Sequence, residues 1–269
     1  MQEYKMPIRE QNSNKGTFGK VLNIAGSKNY IGAAYLSTLA ILKIGAGYAA
    51  LASDKNIINS VSKLLPEAVF LSKSEALSKL ENFNVCLIGC GLGQSFLSKF
   101  WFKKFINKIK KMNIPLIIDA DGLNILATTK NICLPQNTII TPHPTEAARL
   151  LKNSVDNILS DLEGSAKKLC DKYKCTVVLK THRTVICDKD NIFVNQHGNS
   201  ALAKAGTGDI LAGIIAGISA QKYIPFEAAK LGVYLHSRAG ELASEDLTEY
   251  SVLASDITKF LPCAIKELI

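Results

Sequence analysis

Several stretches of this 269-residue chain place glycines, hydroxyls and charged side chains directly after apolar runs, and ligands of open α/β sheets bind at that edge. The richest is Ala205-Gly206-Thr207-Gly208-Asp209, which opens the apolar stretch from Ile210 to Ala220. Two glycines let phosphates approach the backbone, and a helix start offers free N–H groups and the positive end of its dipole. Such a cradle stabilises charge on a phosphoryl group in transfer. Asp209 stands where a carboxylate can take the proton of an attacking hydroxyl. A glycine-rich helix start with an acid in its first turn also arises for structural reasons alone, so this segment by itself leaves both readings open.

Thr141-Pro142-His143-Pro144-Thr145-Glu146 follows another apolar run. Helix-start preferences account for Pro144 and Glu146, but not for His143, which is expected at the sheet edge with a substrate to bind. Asp119-Ala120-Asp121 ends a further run, with Asp121 either capping the next helix or meeting a metal or substrate. Gly89-Cys90-Gly91-Leu92-Gly93 lacks the glycine spacing and the later acid of a dinucleotide fingerprint; it reads as backbone passing close to a ligand. Ala25-Gly26-Ser27, with Gly32-Ala33 beyond it, has the same character. Lys180-Thr181-His182-Arg183-Thr184 joins two strands and suits either a nucleotide or a solvated turn. No serine elbow, H-E-x-x-H motif or Walker A loop is present.

The elements that must carry these residues alternate short Val/Ile/Leu runs with segments of helical period, the pattern of a sheet with crossover helices. Strands are expected at Lys20–Ala25, Gly47–Ala52, Ala68–Leu71, Val85–Ile88, Leu116–Asp119, Thr138–Ile140 and Thr176–Lys180, then a hairpin near Thr184–Val194. Helices are expected over Gly32–Ile44, Phe96–Lys111, Thr145–Lys152, Asp156–Tyr173, Thr207–Gln221, Pro225–Ser244 and Ala254–Leu268. Residues 1–14 read as a loose tail and 15–269 as a single domain.

Lysine and arginine outnumber acids 32 to 23. The densest basic run, Lys99–Lys111, also carries Leu97, Trp101, Phe105 and Ile109 at helical spacing, so it reads as a surface helix with a core stripe. That favours a phosphate-bearing small molecule over nucleic acid or a membrane as the use of the charge. No apolar run approaches membrane-spanning length, and the polar N-terminus does not resemble a secretory signal; a cytoplasmic location is expected. The seven cysteines form no C-x-x-C pair and read as reduced, mostly buried residues.

Taken in order, these segments resemble the ADP-dependent NAD(P)H-hydrate dehydratases, over about Lys15 to Leu261. The resemblance is carried by KGTFGKVLNIAGSKNYIGAA, IGCGLG, IDADGLNIL, TPHPTEAARLL, VLKTHRT, AGTGDILAGIIAGISAQ, HSRAGELA and LASDI. It implies a ribokinase-like three-layer α/β sandwich, a central mostly parallel sheet with helices on both faces. It also implies a repair reaction: the S epimer of NADHX or NADPHX, with a hydrated, redox-dead nicotinamide ring, is dehydrated to NADH or NADPH at the expense of ADP or ATP with Mg2+. The ring hydroxyl is phosphorylated and phosphate is then eliminated. By position, Asp209 acts at the substrate hydroxyl, while Ala33, Gly91, Gly93 and His143 line the hydrate's side. Lys180, Thr181, His182, Arg183, Thr184, Gly206, Thr207 and Gly208 surround the nucleotide, and the metal ligands stay open. The chain departs from the family's usual pattern with KTHRT for KGxxT, Ala25 for a common glycine and Cys90 for a common proline. A functional link to an NAD(P)H-hydrate epimerase and a homo-oligomeric state are expected, with no nucleic-acid or membrane partner. Many relatives carry an epimerase domain on the N-terminal side, so the chain is either a stand-alone dehydratase or one piece of a longer protein.

The alternatives are a ribokinase-like kinase for a vitamin-precursor alcohol, which would stop at the phosphate ester, and a nucleotide sensor without catalysis. A dinucleotide dehydrogenase fits least, for the glycine spacing given above.

Overall fold

A computed structural model describes residues 4–130 and 132–269. Its strands are β1 (Lys20–Ile24), β2 (Tyr48–Ser53), β3 (Val69–Ser72), β4 (Val85–Ile88), β5 (Leu116–Ile118), β6 (Thr138–Ile140), β7 (Thr176–Leu179), β8 (Val185–Cys187) and β9 (Ile192–Val194). They form one sheet in the order β3-β2-β1-β4-β5-β6-β7-β8-β9. Pairing is parallel from β3 through β7 and antiparallel for β7–β8 and β8–β9. The strands are short and nearly all apolar because both faces are covered. Along β4, Val85 and Leu87 point into one core while Cys86 and Ile88 point into the other.

On the first face lie α1 (Ile31–Lys43), α2 (Lys55–Val61), α9 (Thr207–Ala220), α10 (Pro225–Leu247) and α11 (Ala254–Lys266). The second face carries α3 (Lys73–Ser78), α4 (Phe96–Met112), α5 (Asp121–Thr128), α6 (Pro144–Leu151), α7 (Val155–Ser160) and α8 (Leu162–Tyr173). The result is the expected three-layer α/β sandwich. Among the described residues, no helix is long and apolar enough to cross a membrane.

Two helix expectations need correction, and two short helices were not expected. The single helix expected over Asp156–Tyr173 is two, because Asp161 leaves helical geometry (φ −146°, ψ 80°) and caps α8 by accepting from the Gly164 N–H at 2.8 Å. The short helices α2 and α3 carry too few turns for a periodic signal; the capping box of Ser72 and Glu75 marks the second. In α4 the core residues are Phe102, Phe105, Ile106 and Ile109, whereas Leu97 is exposed, so the apolar stripe turns away from the N-terminal end.

Residues 4–18 form neither helix nor strand, yet the segment is not loose. Tyr4 is buried and stacks on Tyr234 at 4.0 Å between ring centroids. The Tyr223 hydroxyl donates to the Lys5 carbonyl, and Arg9 donates to the Gly45 carbonyl with its guanidinium over the Phe18 ring. An aromatic anchor and backbone bonds hold the segment where its polarity suggested a free end.

Candidate active site

The parallel strands deliver their carboxyl ends to one edge, and the centre of that edge is an ion pair. Asp119, one residue beyond β5, accepts from Lys180 Nζ at 2.7 Å, and Lys180 stands one residue beyond β7. The same carboxylate oxygen takes a bond from Thr141 Oγ1, also 2.7 Å. Burial works against the charge on Lys180, but Asp119 and then Glu146 outweigh it, so its pKa is raised. The ammonium therefore stays charged and is fixed at the sheet's edge. Between Asp119 and Asp121, Ala120 holds φ 49°, a left-handed conformation rare for a residue with a side chain and characteristic of functional turns.

Asp209 stands in the first turn of α9 with its carboxylate near Asp119 and the Cys90 sulfur, their ligand atoms all within 4.8 Å. Burial first, and the Asp119 charge second, push its pKa up to about 7. A carboxyl poised there can accept a proton at neutral pH. The turn before it depends on Gly206, at φ 93°, where a β-carbon would come within 2.7 Å of Leu36 Cδ1 and 3.0 Å of Ala254 Cβ. Cys90 is fully buried, and burial raises its thiol pKa well above the ordinary value, leaving it a neutral thiol.

His143 does have a structural role. It is the N-cap of α6: Nδ1 accepts from the N–H groups of Thr145 (3.1 Å) and Glu146 (3.4 Å), and Glu146 bonds back to the His143 N–H at 2.9 Å. Burial, then Lys180, lowers the imidazole pKa. A neutral ring accepting at Nδ1 carries its proton on Nε2. Burial likewise raises the Glu146 carboxyl to about 7.

Two cavities meet at this edge. One, about 630 Å³, takes in Ala33, Gly91, Asp119, Glu146 and Asp209. The other, about 690 Å³, takes in Thr181, His182, Thr184, Thr207 and an apolar floor of Leu202, Leu211 and Val233. His143, Lys180 and Gly208 line both. A β-carbon on Gly208 would stand 3.3 Å from Lys180 Nζ, so the bare glycine faces the ammonium across the shared wall.

Most residues singled out in the sequence therefore converge. Gly93 and Arg183 do not line either cavity; the Gly93 N–H is bonded to Asp121 Oδ2 at 2.8 Å. Asp121 thus ties down the 91–94 loop and does not cap its own helix, whose N-cap, Ala120, has no side-chain bond. Gly91 allows close packing against α1: a β-carbon there would lie 2.6 Å from Tyr30 Cβ and 2.8 Å from Ala33 Cβ. Sequence reasoning passed over Asp119 as the partner of Lys180. The available signal was its place as the first polar residue after the run Leu116–Ile118, matched by Lys180 after Thr176–Leu179. His236, inside α10, was also missed: it lines the second cavity, and burial lowers its pKa to about 4.

The parallel sheet, the glycine-opened helix and the acid at its first turn define a ribokinase-like α/β enzyme. Hydroxyethylthiazole kinase of Pyrococcus horikoshii shares the fold at a TM-score of 0.66 with 13% identity, covering 92% of this chain and 89% of that one. The sequence profile of NAD(P)H-hydrate dehydratase matches residues 21–263, and the chain belongs to that family. The ADP-dependent (S)-NAD(P)H-hydrate dehydratase of Neisseria meningitidis serogroup B is 36% identical over 88% of this chain and 81% of its own. The ADP/ATP-dependent NAD(P)H-hydrate dehydratase of Bacillus subtilis, co-crystallised with ATP and Mg2+, superposes at a TM-score of 0.89 with 31% identity, covering 98% and 95% of the two chains. The bifunctional NAD(P)H-hydrate repair enzyme Nnr of Moorella thermoacetica is 33% identical over 98% of this chain, which spans 52% of that protein.

Proposed function

We propose that this chain dehydrates the S epimer of NADHX or NADPHX to NADH or NADPH, using ADP or ATP as phosphoryl donor. The observation that carries the reading is the shared wall: two cavities joined at His143, Lys180 and Gly208, with Asp209 facing one of them. The hydrated nicotinamide ring occupies the cavity with Ala33, Gly91 and Asp209. The nucleotide occupies the other, its base on the apolar floor and its phosphates at Thr207 and Gly208, between Lys180 and the helix dipole, with Gly206 on the side of the first cavity. Asp209 takes the proton of the ring hydroxyl as its oxygen attacks the terminal phosphorus. The bond from that phosphorus to the nucleotide's bridging oxygen breaks, and Lys180 with the helix start balances the charge. Phosphate then leaves the ring carbon with the C–O bonding pair, and loss of a neighbouring C–H proton restores the double bond.

Gly93 and Arg183 keep lesser places in this scheme, the first through Asp121 and the second within the loop whose Thr181 and Thr184 face the nucleotide. The donor set fits Mg2+ through oxygen only: Asp119 and Asp209 offer the hard ligands it takes, and the Cys90 thiol beside them does not. Bound with the nucleotide, the ion would supply neutralisation of phosphate charge.

The same reading includes a cytoplasmic setting and a functional link to an NAD(P)H-hydrate epimerase, supported by the bifunctional naming of the longer relatives. It also includes assembly with copies of itself, supported by the exposed neighbours Phe96, Leu97 and Phe100 on α4. Purified protein with Mg2+, NADHX and either ADP or ATP should regenerate NADH absorbance. Accumulation of a stable phosphate ester would point to a kinase instead, and no reaction with either nucleotide would overturn the proposal.

A further inference from the structure

We propose that Cys90, Asp119 and Asp209 also form a binding site for a thiophilic divalent cation of the zinc class, and that the bound ion shuts the enzyme off by occupying Asp209. Among the described residues, no other three His, Cys, Asp or Glu side chains bring their ligand atoms so close together. The Cys90 sulfur lies 3.9 Å from Asp119 Oδ2. A tetrahedral zinc ion, with bonds of about 2.3 Å to sulfur and about 2.0–2.2 Å to oxygen, separates those atoms by about 3.5 Å. The side chains therefore need only small adjustments to close around it.

The three ligands come from three well-packed places: the turn after β4, the end of β5 and the first turn of α9. Asp119 is already oriented for the task. Its Oδ1 is held by Lys180 and Thr141, which leaves Oδ2 directed toward the thiol, the kind of outer support that fixes a metal-binding carboxylate. Binding replaces the S–H bond of Cys90 with a sulfur–metal bond and releases the proton to solvent. One thiolate and two carboxylates are then matched by the Lys180 ammonium and the dication, so the buried charges close to neutrality. A bond to sulfur distinguishes a softer ion from Mg2+, which uses the carboxylate oxygens alone. Asp209 lines the first cavity, so an ion held by its carboxylate occupies the group that faces the substrate.

The test starts from protein in which the two exposed cysteines, Cys133 and Cys263, are changed to serine. Cadmium is titrated while thiolate-to-metal charge-transfer absorbance is read, and zinc inhibition of turnover is measured separately. Cys90→Ser should bind one equivalent less cadmium and require roughly tenfold more zinc for half-inhibition, and Asp209→Asn should weaken cadmium binding by a similar factor. Unchanged stoichiometry in Cys90→Ser would overturn the site. Should that variant not fold, undiminished cadmium affinity in the near-isosteric Asp209→Asn would overturn it equally. Binding without inhibition would overturn the second half of the proposal. The inhibition arm rests on the dehydratase reading, but the binding arm needs no turnover, so either can fail without the other.

Discussion

Asp209 combines two demands that pull apart. Its raised pKa makes it a competent base at neutral pH, and the cause of that shift, burial followed by the Asp119 charge, makes the ionised group costly to keep in the folded protein. The folded value lies above the unfolded one, so the cost is complete where both states are ionised, above about pH 7, and fades as the pH falls. Asp209→Asn should accordingly lower kcat by about 10²–10⁴-fold while raising Tm by a few degrees at pH 8, with a smaller gain near pH 5; differential scanning calorimetry at the two pH values reads the stability half. In the unaltered protein, kcat/KM should fall about tenfold per pH unit below pH 7, as the base becomes protonated. The sequence made Lys180 visible because it follows an apolar run, and Asp209 because it ends a glycine-rich turn that opens one. It did not reveal their neighbours: Asp119 meets Lys180 across 61 positions of chain, and no local pattern reports such a partner.

At the scale of elements, the legible parts were those with repetition. Strands β4 to β7 and helices α4, α9 and α10 follow the expected alternation of apolar runs and helical periods, whereas α3 and the break at Asp161 are marked only by capping side chains and the seven-residue α2 has no side-chain cap at all. The start of α9 is the element on which the site turns, and its entry is set by one positive φ. Gly206→Ala places a methyl against Leu36 and Ala254 and forces a left-handed alanine, at about 1–2 kcal/mol for the conformation alone. Because the displaced turn presents Gly208 and Asp209, kcat/KM should drop by more than tenfold even where the variant remains folded by circular dichroism. A variant with unimpaired turnover would show that the helix start tolerates displacement.

At the scale of the whole molecule, composition and alternation identified the sandwich but misread the N-terminal segment. Polar residues there surround one aromatic anchor, and the anchor decides. Tyr4→Ala removes the stack on Tyr234 and should cost about 2–4 kcal/mol, measured by urea denaturation. Tyr234 also meets His197 edge-on at 4.9 Å, and His197 lines the second cavity, the one proposed for the nucleotide. The variant should therefore leave the KM for the hydrate unchanged and disturb, if either, only that for the nucleotide.

The wall common to the two cavities is built from His143, Lys180 and a bare Gly208. Of these His143 is the group that could carry a phosphoryl between them, but its Nδ1 lone pair is taken by the N–H groups of Thr145 and Glu146 and the neutral ring's Nε2 bears its proton. Donor and acceptor must be present at once, each waiting on the other's arrival. Initial velocities measured over a grid of both concentrations should give intersecting double-reciprocal lines; parallel lines would reveal a covalent relay through the protein.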